Sequence, residues 1–258
     1  MSQTDNEFGE LVEIISKLRS PGGCPWDIEQ TSRSLIPFFI EEVYEVIEAI
    51  DNEDWTTVKE ELGDVMLHLI FQALIAEEQN KFNIKDSIDT VSKKLVKRHP
   101  HVFEKEVVST SFRANQNWET EKHKENNRKS RIDGVPAALP SIIQAQRLQQ
   151  KASYVGFDWE DSKDVWNKIN EELEELKIAE KNGDINHIES ELGDVIFSLV
   201  NLARFLDISA ENALRQTNGK FKNRFRYIES KIKKKGKKFE ETELNELEKY
   251  WKEAKGKE

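Results

Sequence analysis

Apolar residues recur at every third or fourth position along most of this chain, which is the period of an amphipathic α-helix. No segment shows the alternation that is typical of a half-buried strand. The pattern predicts helices at about 5–19, 34–51, 54–79, 84–98, 114–126, 141–151, 162–181, 184–206, 209–233 and 241–255. Residues suited to capping a helix precede several of them, namely Asp54, Asp161 or Ser162, Asp184 and Ser209. We therefore predict an all-α fold.

Two segments of the chain carry the same acidic motif, Glu-Glu-x-x-Glu followed by Glu-Leu-Gly-Asp-Val, and adding 130 to each residue number superposes them. The acids are Glu41, Glu42, Glu45, Glu61 and Asp64 in the first copy, and Glu171, Glu172, Glu175, Glu191 and Asp194 in the second. A repeat this long indicates a duplicated domain, because solenoid repeats span only ~20–50 residues. The Gly- and Pro-containing stretch before the second copy has the composition of a linker. We predict tandem helical-bundle domains at 1–126 and 141–258, joined by a linker at 127–140.

The net charge of −10 argues against a nucleic-acid partner, because binding to the phosphate backbone requires an excess of cations. No apolar run approaches the ~20 residues of a membrane span. The first residues lack the basic and apolar blocks of a signal peptide. Cys24 is the single cysteine, so an internal disulfide is excluded. These features lead us to expect a cytoplasmic protein without a membrane partner.

The repeated acids predict a metal site. Glu61 and Asp64 lie one helical turn apart beside the apolar face of their helix, and a short turn would pack this helix antiparallel to the one that carries Glu41, Glu42 and Glu45. Two carboxylates ~5 Å apart repel by ~3 kcal/mol at an effective dielectric constant near 20. A divalent cation relieves that repulsion, and ligands that are all oxygen favour Mg²⁺. Glu41, Glu42 and Glu45 lie away from the apolar stripe of their own helix. For these three acids, a solvated charged face remains an alternative interpretation.

Three further segments accompany the acidic motif. They are Gly23-Cys24-Pro25-Trp26-Asp27-x-x-Gln30-Thr31, Arg98-His99-Pro100-His101-Val102-Phe103 and Lys151-Ala152-x-x-Val155-Gly156-Phe157-Asp158-Trp159. Together with the acids, they resemble the MazG nucleoside triphosphate pyrophosphohydrolases, of the all-α NTP pyrophosphatase class, over nearly the whole chain. The resemblance implies an all-helical, dimeric enzyme. It would cleave nucleoside triphosphates, ribo or deoxy, to a monophosphate and pyrophosphate with Mg²⁺ or, as a substitute, Mn²⁺.

The resemblance also implies roles for individual residues of the second copy. The metal ligands would be Glu172, Glu175, Glu191 and Asp194. The nucleotide-binding residues would be Lys168, Glu171, Lys220, Arg224, Trp251 and Lys255. A glutamate next to the metal would accept a proton from the attacking water, and the sequence leaves Glu171 and Glu172 as alternatives for this catalytic role.

The two copies differ beside their acids. Lys168 precedes the acidic motif of the second copy by three positions, whereas the first copy has Phe38 there, which offers no charge to a phosphate. His68 in the first copy corresponds to Ser198 in the second. We therefore expect the second copy to carry the main activity and the first to be structural, regulatory or weakly active.

Two other interpretations are compatible with the sequence. One is a pyrophosphatase restricted to particular deoxynucleoside triphosphates, which the duplication and the Cys-Pro-Trp-Asp segment disfavour. The other is a helical regulatory protein that binds nucleotide or metal without turnover, which the retention of all ten acids disfavours. An assay of pyrophosphate release distinguishes this second alternative from an enzyme.

Overall fold

The structure, a computed structural model, describes residues 3–104, 110–125 and 128–257. These residues form α-helices and contain no strand, which confirms the predicted all-α fold. The helices are α1 (Gln3–Arg19), α2 (Pro25–Glu29), α3 (Ile36–Asp51), α4 (Trp55–Glu78), α5 (Ile84–Arg98), α6 (Pro100–Phe103), α7 (Ser111–Glu125), α8 (Ser141–Ser153), α9 (Ser162–Asn182), α10 (Ile185–Phe205), α11 (Ala210–Lys234) and α12 (Leu244–Lys255).

Every helix that the apolar period predicted is present, with ends that differ by a few residues. The short helices α2 and α6, and a 3-10 turn at Phe239–Glu241, were not predicted. Their three to five residues are too few to show a helical period. Residues 126 and 127, where the predicted first domain ends and the linker begins, lie outside the described residues.

The predicted caps make the expected hydrogen bonds. The carboxylate of Asp54 accepts from the backbone N–H of Thr56 and Thr57 at the start of α4. Asp161, rather than Ser162, caps α9, and Asp184 and Ser209 cap α10 and α11. These side chains satisfy backbone donors that the first turn of a helix leaves without partners. Asp54, Asp161 and Asp184 thereby define the beginnings of α4, α9 and α10, which are three of the four helices that carry the acids.

The chain divides into two compact units, Met1–Val108 and Ser109–Glu258. This division precedes the predicted linker 127–140, so α7 lies in the second unit. There the carboxylate of Glu119 on α7 accepts a hydrogen bond of 2.5 Å from the buried ammonium of Lys151 on α8. The domain limits 1–126 and 141–258 were predicted from the duplicated motif. They stay a prediction of where the two repeats lie.

Each unit has its own apolar core. In the first unit the core consists of Ile15, Leu35, Ile70, Phe71 and Ile75. In the second unit, one cluster joins α9 to α10 through Val165, Ile169 and Leu202, and another joins α11 to α12 through Ile228, Ile232 and Tyr250. The packing of α3 on α4 and of α9 on α10 brings the two halves of each acidic motif together.

The turns between the acidic helices have a positive φ at corresponding positions in the two copies, but the residues there differ. Gly183, between α9 and α10, has φ +75°, and Glu53, which corresponds to it between α3 and α4, has φ +55°. This left-handed region is readily adopted by glycine, whereas other L-residues pay roughly 1–2 kcal/mol to adopt it. The first copy therefore holds its acidic helices together through a strained turn.

Replacing Glu53 by Gly is expected to raise the free energy of unfolding by about 1 kcal/mol, because the strain at positive φ disappears. The matched change Gly183→Ala is expected to lower it by a similar amount. A Cβ at Gly183 would meet no atom within 4 Å, so only backbone strain is introduced. Urea denaturation of both variants measures the two effects, and a loss of stability in Glu53→Gly would contradict this account.

Candidate active site

The first carboxylate cluster lies between α3 and α4. Glu42, Glu45 and Glu61 each place a carboxylate oxygen within 4.8 Å of the others. Burial raises the pKa of Glu42, and the negative charges of Asp64, Glu45 and Glu61 raise it further. Glu41, the remaining acid of this copy, is exposed on α3. The predicted approach of the two acidic helices is therefore present, with Asp64 close enough to act on Glu42.

The second cluster lies between α9 and α10. Glu172, Glu175 and Glu191 place carboxylate oxygens within 4.8 Å of one another, and Glu172 is buried. Burial raises the pKa of Glu175, and the charges of Glu172 and Glu191 add to this shift. Asp194, one turn after Glu191, is exposed on α10. Three of the four predicted ligands are thus gathered into one group.

Lys168 distinguishes the second cluster from the first. Its ammonium lies 2.7 Å from Glu171 and 2.7 Å from Glu172, and these hydrogen bonds raise the pKa of the lysine above its ordinary value. In the first copy, the ring of Phe38 contacts Trp26 edge-to-face at 5.8 Å. The first copy thus uses this position for aromatic packing against the Cys-Pro-Trp-Asp segment, whereas the second places a cation beside its acids.

A histidine accompanies each cluster, at positions that do not correspond. The Nε2 of His68 on α4 lies 3.9 Å from the carboxylate of Glu42, and the ring is buried. The Nε2 of His187 on α10 lies 3.0 Å from Glu191. His68 was recognisable in the sequence as a difference between the copies, whereas a role for His187 was not predicted. Its four-residue spacing from Glu191 on one helix was the available signal.

The other predicted nucleotide-binding residues lie on α11 and α12. The guanidinium of Arg224 stacks over the Trp251 ring at 5.1 Å, and Phe221 contacts the same ring at 5.3 Å. Lys220 and Lys255 are exposed on these helices. The structure therefore pairs Arg224 with Trp251 across two helices, a contact that was not predicted, and leaves two lysines accessible to solvent.

The donor atoms of both clusters suit a hard divalent cation. Each offers three carboxylate oxygens within 4.8 Å of one another, and in each the pKa of a member is raised by the others. A bound divalent cation would replace this repulsion by attraction, and oxygen ligands are those that Mg²⁺ prefers. The residues that are present therefore fit a metal-dependent hydrolase.

An all-helical fold whose paired helices carry clustered carboxylates is the architecture expected of the all-α NTP pyrophosphatase class. The family model described as the MazG nucleotide pyrophosphohydrolase domain matches the chain twice, over residues 30–103 and 161–228. The chain belongs to this family. Each match contains one complete copy of the acidic motif, which supports the predicted duplication.

The chain is also similar to curated proteins over nearly its whole length. It is 48% identical to the nucleoside triphosphate pyrophosphohydrolase/pyrophosphatase MazG of Thermotoga maritima, over 96% of each chain. It is 36% identical to the nucleoside triphosphate pyrophosphohydrolase of Escherichia coli strain K12, over 97% of each chain. Among the described residues, no helix has the length and apolar character needed to cross a membrane.

Proposed function

We propose that this protein hydrolyses nucleoside triphosphates, both ribo and deoxy, to the nucleoside monophosphate and pyrophosphate, and so clears them from the nucleotide pool. The observation that carries the proposal is the cluster of Glu172, Glu175 and Glu191 beside the ammonium of Lys168. Phosphoryl transfer depends mainly on charge neutralisation and on in-line positioning of the nucleophile. A carboxylate cluster that holds a divalent cation next to an ammonium, within the family established above, would supply both requirements.

The metal of this reaction is proposed to be Mg²⁺, with Mn²⁺ as a substitute. Glu172, Glu175 and Glu191 would hold it, with Asp194 on the next turn of α10 as a further ligand. When bound, the cation would neutralise phosphate charge and lower the pKa of a water molecule. His187 would orient Glu191 through the 3.0 Å contact between them, as partners of metal ligands commonly do.

Glu171 and Glu172 are assigned different tasks on the basis of their burial. The side chain of Glu172 is 8% exposed and belongs to the cluster, which suits a metal ligand. The side chain of Glu171 is 56% exposed and reaches Lys168, so it can accept the proton of an attacking water or contact the nucleotide. Lys168 would then donate some of its hydrogen bonds to the triphosphate and no longer to the two glutamates.

The nucleotide would be held further by the residues of α11 and α12. Lys220, Arg224 and Lys255 supply cations for phosphate oxygens, and the exposed positions of the two lysines leave them accessible to a ligand. Trp251 offers a ring face next to the Arg224 guanidinium. Because nucleoside triphosphates are the proposed substrates, the enzyme is proposed to act in the cytoplasm, where these nucleotides are pooled.

A panel of ATP, GTP, CTP, UTP and the four deoxynucleotides, assayed for pyrophosphate release with Mg²⁺, tests this function. We expect release of pyrophosphate with several of them and none when a chelator replaces the metal. Release from one deoxynucleotide alone would favour the narrower pyrophosphatase. Binding of nucleotide without any release would favour the regulatory protein instead.

The protein is further proposed to be a homodimer with two-fold symmetry. Large apolar side chains stay exposed on the acidic helices of the single chain, including Ile40 and Tyr44 on α3 and Leu192 and Ile196 on α10, each 46–49% exposed. Apolar surface of this kind is commonly covered by association, most often as a symmetric dimer. Light scattering at micromolar concentration is expected to give twice the mass of the chain, and a monomeric mass would contradict the proposal.

A further inference from the structure

A cavity lies at the end of α11, away from both carboxylate clusters. Its volume is about 480 Å³, which falls within the roughly 300–1,000 Å³ that is typical of small-molecule pockets. Lys233, on its lining, lies nine residues after Arg224 on the same helix, which is about 14 Å along the axis. The cavity is therefore separate from the cations proposed to hold the nucleotide. Its lining residues are Glu229, Ile232, Lys233, Gly236, Lys237 and Phe239.

The apolar part of this lining is held in place by packing and by the backbone. Ile232 is buried in the cluster that joins α11 to α12, and Phe239 packs against the same cluster. The ring of Phe239 also contacts the ring of Phe225, with 5.2 Å between the ring centroids. The backbone N–H of Lys237 donates to the carbonyl oxygen of Ile232, so the chain after α11 turns back on the helix. An apolar group of a ligand would meet a preformed surface here.

The two lysines of the lining carry more positive charge than their partners neutralise. The ammonium of Lys237 lies 2.7 Å from Glu246 on α12, but Lys235 binds the same carboxylate at 2.8 Å. Lys233 forms no ion pair within the described part of the chain. One glutamate thus serves two lysines, and a third lysine beside them keeps its full charge. An anionic group of a ligand would be attracted to this side of the cavity.

The lining also contains a carboxylate that is available to a ligand. Glu229 lies one helical turn before Lys233, a spacing at which glutamate and lysine commonly form an ion pair. No such pair joins these two residues in the structure, although both line the same cavity. The cavity therefore offers a negative group, positive groups and an apolar surface to one small molecule.

We propose that this cavity binds a small zwitterion, namely an α-amino acid with an apolar side chain. The carboxylate of the amino acid would accept charge-assisted hydrogen bonds from Lys233 and Lys237. Its ammonium group would donate to Glu229, and its side chain would pack on Ile232 and Phe239. A nucleotide is the poorer ligand for the same cavity, because Glu229 would repel its phosphates.

Ligand-observed NMR titration of the full chain with leucine and with phenylalanine tests this site, in buffer without nucleotide or divalent metal. We expect both amino acids to bind the wild type. Lys233→Ala is expected to raise Kd about ten-fold, the typical loss of one charge-assisted contact. Glu229→Gln is expected to raise Kd for phenylalanine but not for phenylpropanoate, which lacks the ammonium group. Both residues are exposed, and circular dichroism verifies that the variants are folded.

The matched control is Lys234→Ala. Lys234 is the next residue of α11, and it is exposed without lining the cavity, so its removal is expected to leave Kd unchanged. The proposal is overturned if the wild type binds neither amino acid at millimolar concentration. It is equally overturned if Lys233→Ala or Glu229→Gln leaves the Kd for phenylalanine unchanged. The experiment measures no turnover, so its outcome does not depend on whether the protein hydrolyses nucleotides.

Discussion

A Glu172→Ala/Glu175→Ala variant is expected to lose more than about 100-fold in nucleoside triphosphate hydrolysis, because it removes two proposed ligands of one metal site. The matched Glu42→Ala/Glu45→Ala variant is expected to keep most of the activity. The two pairs occupy the same positions of the duplicated motif, and both lie in a cluster of three close carboxylates. We expect the two variants to differ in activity because the residues around the two clusters differ.

Those surroundings differ in the cation available to a triphosphate. Lys168 stands beside the second cluster, whereas Phe38 packs on Trp26 beside the first. One charge-assisted contact to phosphate is worth about 1.5–3 kcal/mol, or roughly ten- to a hundred-fold in binding. Steady-state rates of both variants, measured on protein shown to be folded by circular dichroism, give the comparison. Equal losses would mean that both copies catalyse or that they build one shared site.

Replacing Glu175 by Gln is expected to abolish Mg²⁺-dependent turnover while leaving the metal-free protein at least as stable as the wild type. The same loss of turnover is expected from alanine at Glu172, Glu191 or Asp194. The pKa of Glu175 is raised by burial and by the charges of Glu172 and Glu191. Its ionised form is therefore less favourable in the folded chain than in the unfolded chain, and glutamine removes this cost.

The pH dependence of stability follows from the raised pKa of Glu175. A carboxyl whose pKa is raised on folding binds more protons in the folded state, so its ionisation lowers stability as pH rises through the folded pKa. The gain of Glu175→Gln over wild type should be largest at neutral pH and should vanish below the unfolded value of about 4.3. Urea denaturation at several pH values with a chelator measures it.

Magnesium ions provide the control for this experiment. They should raise the stability of the wild type, since a ligand that binds only the folded state stabilises it, and they should raise that of Glu175→Gln less. Near-wild-type turnover in any of the four variants would remove that residue from the metal site.

Much of the candidate site could be predicted from the sequence because its parts are local. Glu172 and Glu175 share one face of α9 by their spacing, and Lys168 lies one turn before them on the same helix. The caps Asp54 and Asp184 were likewise readable, because each accepts from backbone donors two or three residues away. The assignment of Asp194 could not be decided in this way, since its exposure depends on packing between helices.

The apolar period and the spacing of the acids determined the all-α fold, the duplication and the pairing of acidic helices. These properties depend on side chains a few residues apart along one helix or across a short turn. Only the tertiary structure decided that α7 belongs to the second unit, because Glu119 finds Lys151 through contacts between residues 32 positions apart. The tertiary structure also decided which carboxylates lie close together. The distance between Glu175 and Glu191 depends on how α9 packs against α10. A helical period specifies the apolar face of a helix but not the helix against which that face packs.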